Sequence, residues 1–211
     1  MNGFLQTLNN LDTWLFLKIN NEWTSPFLDS VFPWWRDQNT WIPLYFFLIF
    51  MVFYNFGWKS WPWLAAAIVT VVLTDQLSSG FLKDFINRPR PCNDSLLGPY
   101  VKLLVPYCPT SGSFTSSHAA NHFGQAAFYY FTLKPYLKGW AQLFFVWAAT
   151  ISYGQVYVGV HYPLDILGGA IIGLVLGSGV AGIFNRRIGF PSMKKLPVVP
   201  NEGHNPAEHN N

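Results

Sequence analysis

Apolar residues run in long blocks along the chain, with charged residues confined to short breaks. No charged side chain interrupts residues 38–58 (21 residues), 103–133 (31), 139–164 (26) or 166–185 (20), and the block 60–82 holds only Asp75. A helix that crosses a bilayer needs about 20 predominantly apolar residues, so each block is long enough. Turn residues and isolated lysines inside and between the blocks predict spans at about 41–56, 61–82, 118–133, 139–156 and 163–184. Residues 83–117 are polar, Pro-rich and Gly-containing, and form the longest connection outside the membrane. Residues 4–35 behave differently. Leu8, Leu11, Leu15 and Ile19 recur at helical spacing, but Asp12, Lys18 and Glu22 break any clean span. That pattern predicts an interfacial amphipathic helix, with an additional irregular span as the alternative. Trp34, Trp35 and Trp41 then sit at headgroup depth, where tryptophan concentrates. The expected architecture is all-α and integral to the membrane, with five to six transmembrane helices in one bundle and an N-terminal amphipathic helix. Residues 1–36 form that helix region, 37–185 the transmembrane domain, and 186–211 a basic, then Pro/Asn-rich, tail read as cytoplasmic and disordered.

Composition strengthens the membrane reading. The chain is 51% hydrophobic and 18% aromatic, and only 23 of its 211 residues are charged, 13 basic and 10 acidic. That is 11%, against about 25% in an ordinary soluble domain. A net charge of +3, dispersed along the chain, argues against a nucleic-acid surface. The N-terminus lacks the charged start and cleavage site of a secretory signal peptide. Alternating spans place Lys59, Lys134, Lys138, Arg186, Arg187, Lys194 and Lys195 on one face, which the positive-inside rule makes cytoplasmic. The opposite, extracytoplasmic face holds Arg36, Lys83, Arg88, Arg90 and Lys102, most of them in one short segment placed for a ligand. Cys92 and Cys108 lie on that face. They either pair there, where the compartment is oxidising, or remain two free thiols. Gly169, Gly173 and Gly177 recur every four residues in the last span, a small-residue face that lets another helix approach closely.

Three segments far apart in sequence bring titratable residues to the extracytoplasmic face. In KDFINRPRP, Lys83 and Arg90 are seven residues apart, nearly two turns of a helix that Pro89 and Pro91 end. A planar guanidinium and a point-charge ammonium together suit an oxyanion. In SGSFTSSHAANHFG, Thr115 or Ser116 caps a helix beginning near His118. The backbone N–H groups of Ser116, Ser117 and His118 then face an anion, as helix N-termini do. His118 and His122 are four residues apart, but HExxH needs Glu at 119, where Ala119 stands. No metal is therefore assigned, and His122 is read as a packing or supporting residue. In SYGQVYVGVHYPLDILGG, Asp165 follows His161 by four residues, close enough to hold one ring nitrogen and leave the other free to attack. Two histidines, an orienting carboxylate, two cations and an anion-binding helix start describe phosphoryl transfer without a cofactor.

These segments resemble the type 2 phosphatidic acid phosphatase family, membrane lipid phosphatases distantly related to vanadium haloperoxidases. The family's K-x6-R-P is intact as Lys83, Arg90 and Pro91. Its P-S-G-H is similar to Thr115-Ser116-Ser117-His118, and its S-R-x5-H-x3-D to Gly154-Gln155, His161 and Asp165. The resemblance covers about residues 40–184. It implies a metal-independent phosphatase with His161 as the nucleophile that becomes phosphohistidine, Asp165 as its orienting partner and His118 as general acid. It also implies that Lys83, Arg90, Ser116, Ser117 and the residue at 155 bind phosphate. Gln155 replaces the family's arginine and offers an amide without charge; Arg88, beside the first motif's arginine, is the expected compensating cation. Ser117, in place of glycine, is expected to narrow the pocket. By the resemblance the substrate is a membrane lipid: a polyprenyl pyrophosphate, phosphatidic acid, phosphatidylglycerol phosphate or a phosphorylated lipid A, met at the extracytoplasmic side of the cell membrane. A phosphotransferase, or a non-catalytic lipid-phosphate binding or transport protein, is the alternative.

Overall fold

The computed structural model describes residues 3–191, and those residues form helices and connections without a strand. Eight α-helices follow in order: α1 (Gly3–Leu17), α2 (Pro26–Trp35), α3 (Ile42–Phe56), α4 (Trp61–Asp75), α5 (Lys83–Ile86), α6 (Ser117–Leu137), α7 (Leu143–Tyr157) and α8 (Pro163–Arg187). Tighter or wider helical turns extend α3 and α4, giving continuous helices Gln38–Phe56 and Trp58–Leu82. These and α8 are the three described helices long and apolar enough to cross a membrane by length and composition. The expectation of a disordered tail falls mostly on residues 192–211, outside the described residues.

The bundle is built around α6, which packs most extensively on α8 and also on α7 and α4. The glycine stripe explains the α6–α8 contact. A Cβ at Gly169, Gly173 or Gly177 would run into the backbone at Ser116, Ala120 or Gly124, so the helices meet main chain to main chain. Aromatic side chains fill the other end of the core, where Trp63 and Phe128 are buried and Trp63 Nε1 donates to Thr132 Oγ1 at 3.0 Å. Large apolar residues such as Phe46, Phe50, Val72 and Val175 are exposed around the outside. An apolar belt over a partly polar interior suits a lipid solvent.

The N-terminal region buries a mixed face, Asp12 and Asn20 beside Phe16 and Ile19. Leu11 and Trp14 on α1 are exposed, while Asp12 and Phe16 are buried. Asp12 docks on the far end of the chain, where its Oδ1 accepts from the Leu164 N–H at 2.8 Å. Asn20 ties the same region down by donating to the carbonyls of Tyr157 (2.8 Å) and Lys102 (2.9 Å). α2 lies along α7: Phe32 packs between Tyr153 and Tyr157, Trp35 Nε1 donates to Thr150 Oγ1, and the Tyr157 hydroxyl donates to Asp29. Cys92 and Cys108 are bonded, with their Cα atoms 6.0 Å apart, and close the long connection on itself.

Candidate active site

A cavity of about 500 Å³ opens where α3, α4, α6 and α7 meet the long connection. Lys83, Arg90, Ser117, His118, Gln155 and His161 all line it, so the three sequence segments converge as topology predicted. They do so by a different local route from the one expected. Helix α5 ends at Ile86, and Asn87 takes a left-handed conformation (φ 44°, ψ 41°) that turns the chain. Lys83 and Arg90 therefore reach the cavity from a short helix and from the stretch beyond it, not from one helical face.

His161 is the centre of the arrangement. It is buried, and its Nε2 lies 3.0 Å from Arg90 Nη1 while its Nδ1 lies 3.4 Å from Asp165 Oδ2. Arginine has no acceptor atom. The Arg90 contact thus requires a lone pair on Nε2, which leaves the ring proton on Nδ1, facing the carboxylate. Burial, with the Arg90 charge beside it, lowers the His161 pKa to about 4 and keeps the ring neutral near pH 7. Arg90 is itself fixed by the Ser111 carbonyl and hydroxyl and by the Val160 carbonyl. Asp165 sits at the start of α8, where its Oδ2 also accepts from the Tyr162 N–H at 2.8 Å.

Two expected phosphate ligands have other roles. Arg88 does not line the cavity. Its guanidinium binds Asp12 Oδ2 at 2.7 Å and Asp165 Oδ1 at 3.0 Å and lies 3.9 Å above the Tyr162 ring. Two carboxylates and an aromatic face hold it behind the nucleophile, so it cannot stand in for a cation at position 155. Ser116 is turned inward as the cap of α6: its Oγ accepts from Ala119 N–H, and its own N–H donates to the Asp165 carbonyl at 3.0 Å. Ser117 remains at the cavity wall, in a hydroxyl cluster with Ser78 and Ser79. His122, four residues beyond His118, packs edge-on against Trp147 at 4.8 Å.

Electrostatics favour an anion in the cavity. Among the described residues no carboxylate lies within 4.0 Å of Lys83, Arg90 or Arg36. Burial and the neighbouring Arg90 hold the Lys83 ammonium down at about 8. Cations held together attract a multiply charged ligand, and Asp75, which also lines the cavity, offsets part of that attraction. Arg36 is the residue that motif spacing did not reveal. It lies just after α2, lines the cavity, and donates from Nε to Gln155 Oε1 at 3.0 Å. The one available signal was its place among the cations of the extracytoplasmic face, which gives the side but not the depth.

The profile of the PAP2 superfamily matches residues 63–188. The lipid A 4'-phosphatase of Bacteroides thetaiotaomicron is 34% identical over 174 residues, which is 80% of this chain and 75% of that protein. Phosphatidylglycerophosphatase B of Bacillus subtilis is 33% identical over 148 residues, covering 65% of this chain and 64% of its own length. Among solved structures, Aquifex aeolicus LpxE superposes with a TM-score of 0.59 at 30% identity, covering 82% of this chain and 95% of that one. The transmembrane PAP2-type phosphatidylglycerolphosphate phosphatase of Bacillus subtilis gives a TM-score of 0.62 at 23% identity over 89% of both chains, a likeness of fold.

Proposed function

The chain belongs to the PAP2 superfamily, and we propose that it removes a phosphate from a membrane lipid through a phosphohistidine at His161. The observation that carries this reading is the placement of the His161 ring at the cavity wall, with Nε2 3.0 Å from Arg90 Nη1 and Nδ1 3.4 Å from Asp165 Oδ2, contacts that favour the tautomer with its proton on Nδ1. A lipid phosphate enters between Lys83 and Arg90, and the Arg90 hydrogen bond passes from Nε2 to a phosphate oxygen. Nε2 then attacks phosphorus, the bond from phosphorus to the lipid oxygen breaks, and protonated His118 gives its proton to that oxygen. Neutral His118 next takes a proton from water as the water oxygen attacks phosphorus. The P–N bond breaks, its electron pair returns to Nε2, and inorganic phosphate leaves. Lys83 and Arg90 meet the charge that builds on the phosphoryl oxygens, and side chains supply every step.

The substrate favoured by the relatives is a lipid A bearing a 4'-phosphate, with phosphatidylglycerol phosphate second. The Cys92–Cys108 bond supports an active site on the extracytoplasmic side of the cell membrane, because disulfides persist in oxidising compartments. The test is phosphate release by purified protein in EDTA from lipid A, phosphatidylglycerol phosphate, phosphatidic acid and a polyprenyl pyrophosphate. The parent should release phosphate from at least one lipid, and His161→Ala and His118→Ala should abolish release. Lipid binding without release by the folded parent would refute a phosphatase and favour the binding or transport reading.

A further inference from the structure

The region matched by the family profile starts at residue 63, yet one cation in the cavity comes from residue 36. We propose that Arg36, presented by the N-terminal helix α2, is a phosphate-binding residue that supplies at position 155 the charge Gln155 lacks. The assignment rests on the phosphatase reading for its ligand, a phosphate group, but the binding it asserts is separable from turnover.

Four observations carry it. Arg36 lines the same cavity as Lys83, Arg90, His118 and His161. Its Nε is bound by Gln155 Oε1 at 3.0 Å, which fixes the plane of the guanidinium. Its two terminal nitrogens have no hydrogen-bond partner among the described residues. Gln155 is fully buried, and its Nε2 is also without a partner among those residues. A buried amide donor left unpaired costs free energy unless a ligand fills it. Together the free Nη groups and the free amide form a donor set suited to an oxyanion at the cavity wall.

The residue before Gln155 fits the same scheme. A Cβ at Gly154 would stand 3.1 Å from Phe32 Cδ1 and 3.3 Å from Arg36 Cβ. Glycine at 154 therefore leaves room for α2, and glutamine at 155 holds the arginine that α2 delivers. Two departures from the family motif at adjacent positions thus serve one incoming side chain. Phe32 and Arg36, four residues apart, face α7 together.

The experiment measures inorganic orthophosphate binding by calorimetry on the purified full-length protein, with thermal unfolding followed on every variant. Lipid-phosphate hydrolysis is run beside it. Arg36→Ala should weaken orthophosphate binding by about 10- to 100-fold, the range for a lost charged hydrogen bond. Arg36→Lys, which keeps the charge and loses the fork, should weaken it less. The decisive variant is R36A combined with Q155R, which should regain at least half of the lost binding on a logarithmic scale. Binding by R36A within twofold of the parent would overturn the assignment. So would a double variant no better than R36A, because Arg36 would then act only by holding α2 on α7. A parent that does not bind orthophosphate also overturns it. A parent that binds orthophosphate and hydrolyses no lipid refutes the phosphatase reading instead, and the binding series still decides the role of Arg36.

Discussion

Arg88→Ala separates the role that sequence proximity implies for this arginine from the one its contacts give it. Asp12 and Asp165 both have side chains with 0% exposure, and Arg88 bridges them at 2.7 and 3.0 Å. Removing the guanidinium leaves two carboxylates facing each other without a cation. Breaking a buried ion pair destabilises by about 3–5 kcal/mol. The Arg88 side chain is 19% exposed, so water enters the vacated space and the lower end, about 3 kcal/mol, applies. For a chain of this size about 1 kcal/mol corresponds to 2–4 °C, which gives a fall in Tm of about 6–12 °C in detergent. Asp165 also loses one of the contacts that aim it at His161, and loss of such a supporting partner lowers activity by about 10-fold. The assay pairs a thermal-shift measurement with steady-state hydrolysis of the best lipid substrate. The expected pattern is a lower Tm and lower kcat with KM changed by less than about threefold. A raised KM with unchanged Tm and kcat would mean that Arg88 binds phosphate, and would refute the structural role.

Three further outcomes test other parts of the structure. Lys83 is held at about 8, so its charge is present below that pH and lost above it; kcat/KM should fall as pH rises through about 8. Lys83→Arg should move this limb upward, and a parent profile flat to high pH would exclude Lys83 as a phosphate ligand. Tyr107 and Pro109, on either side of Cys108, line the cavity, and the disulfide closes a 16-residue separation. Reduction, or the C92S/C108S pair, should destabilise by about 3 kcal/mol and raise KM, read by thermal shift and kinetics with and without reductant. In the α6–α8 seam, a Cβ at Gly177 would meet the Gly124 backbone, whereas one at Gly179 would meet nothing within 4 Å. Gly177→Val should therefore cost about 3 kcal/mol or more and reduce the yield of monodisperse protein, while Gly179→Ala should leave it unchanged.

Three of the five expected spans, those at 41–56, 61–82 and 163–184, and the convergence of the site segments were legible because both depend on local chemistry, whereas 118–133 and 139–156 fall in helices that do not reach the length and apolarity of a span. Charge-free blocks mark the helices that meet lipid, and the glycine stripe of α8 marks its contact with α6, since only small residues let two backbones touch. Lys83, His118, His161 and Asp165 were legible because their spacing restricts what they can do. Arg88 was misread because it stands two residues from Arg90 beyond a helix end. There, sequence distance does not say which arginine faces the cavity and which faces Asp12. Ser116 caps α6, one of the two capping residues the sequence allows, and the phosphate role implied by the resemblance is not met by its hydroxyl, because one hydroxyl can cap a helix or meet a ligand and the sequence does not say which. Arg36 and Asp12 act across separations of more than 100 residues. No periodicity records such contacts; they exist only once α1 and α2 have docked.

The hydrogen bond between Asp12 and the Leu164 N–H joins residues 152 positions apart, and it has a consequence for how the protein is made. The buried Asp12 carboxylate, made early, gains its backbone partner only once Leu164 has been made. Until α8 is inserted, Arg88 has only one of its two carboxylates, and His161 has no Asp165 to hold its proton. A chain stalled before that point carries lipid-facing helices but no assembled nucleophile. Nascent chains arrested short of residue 163 should therefore be inactive however well their earlier helices are inserted.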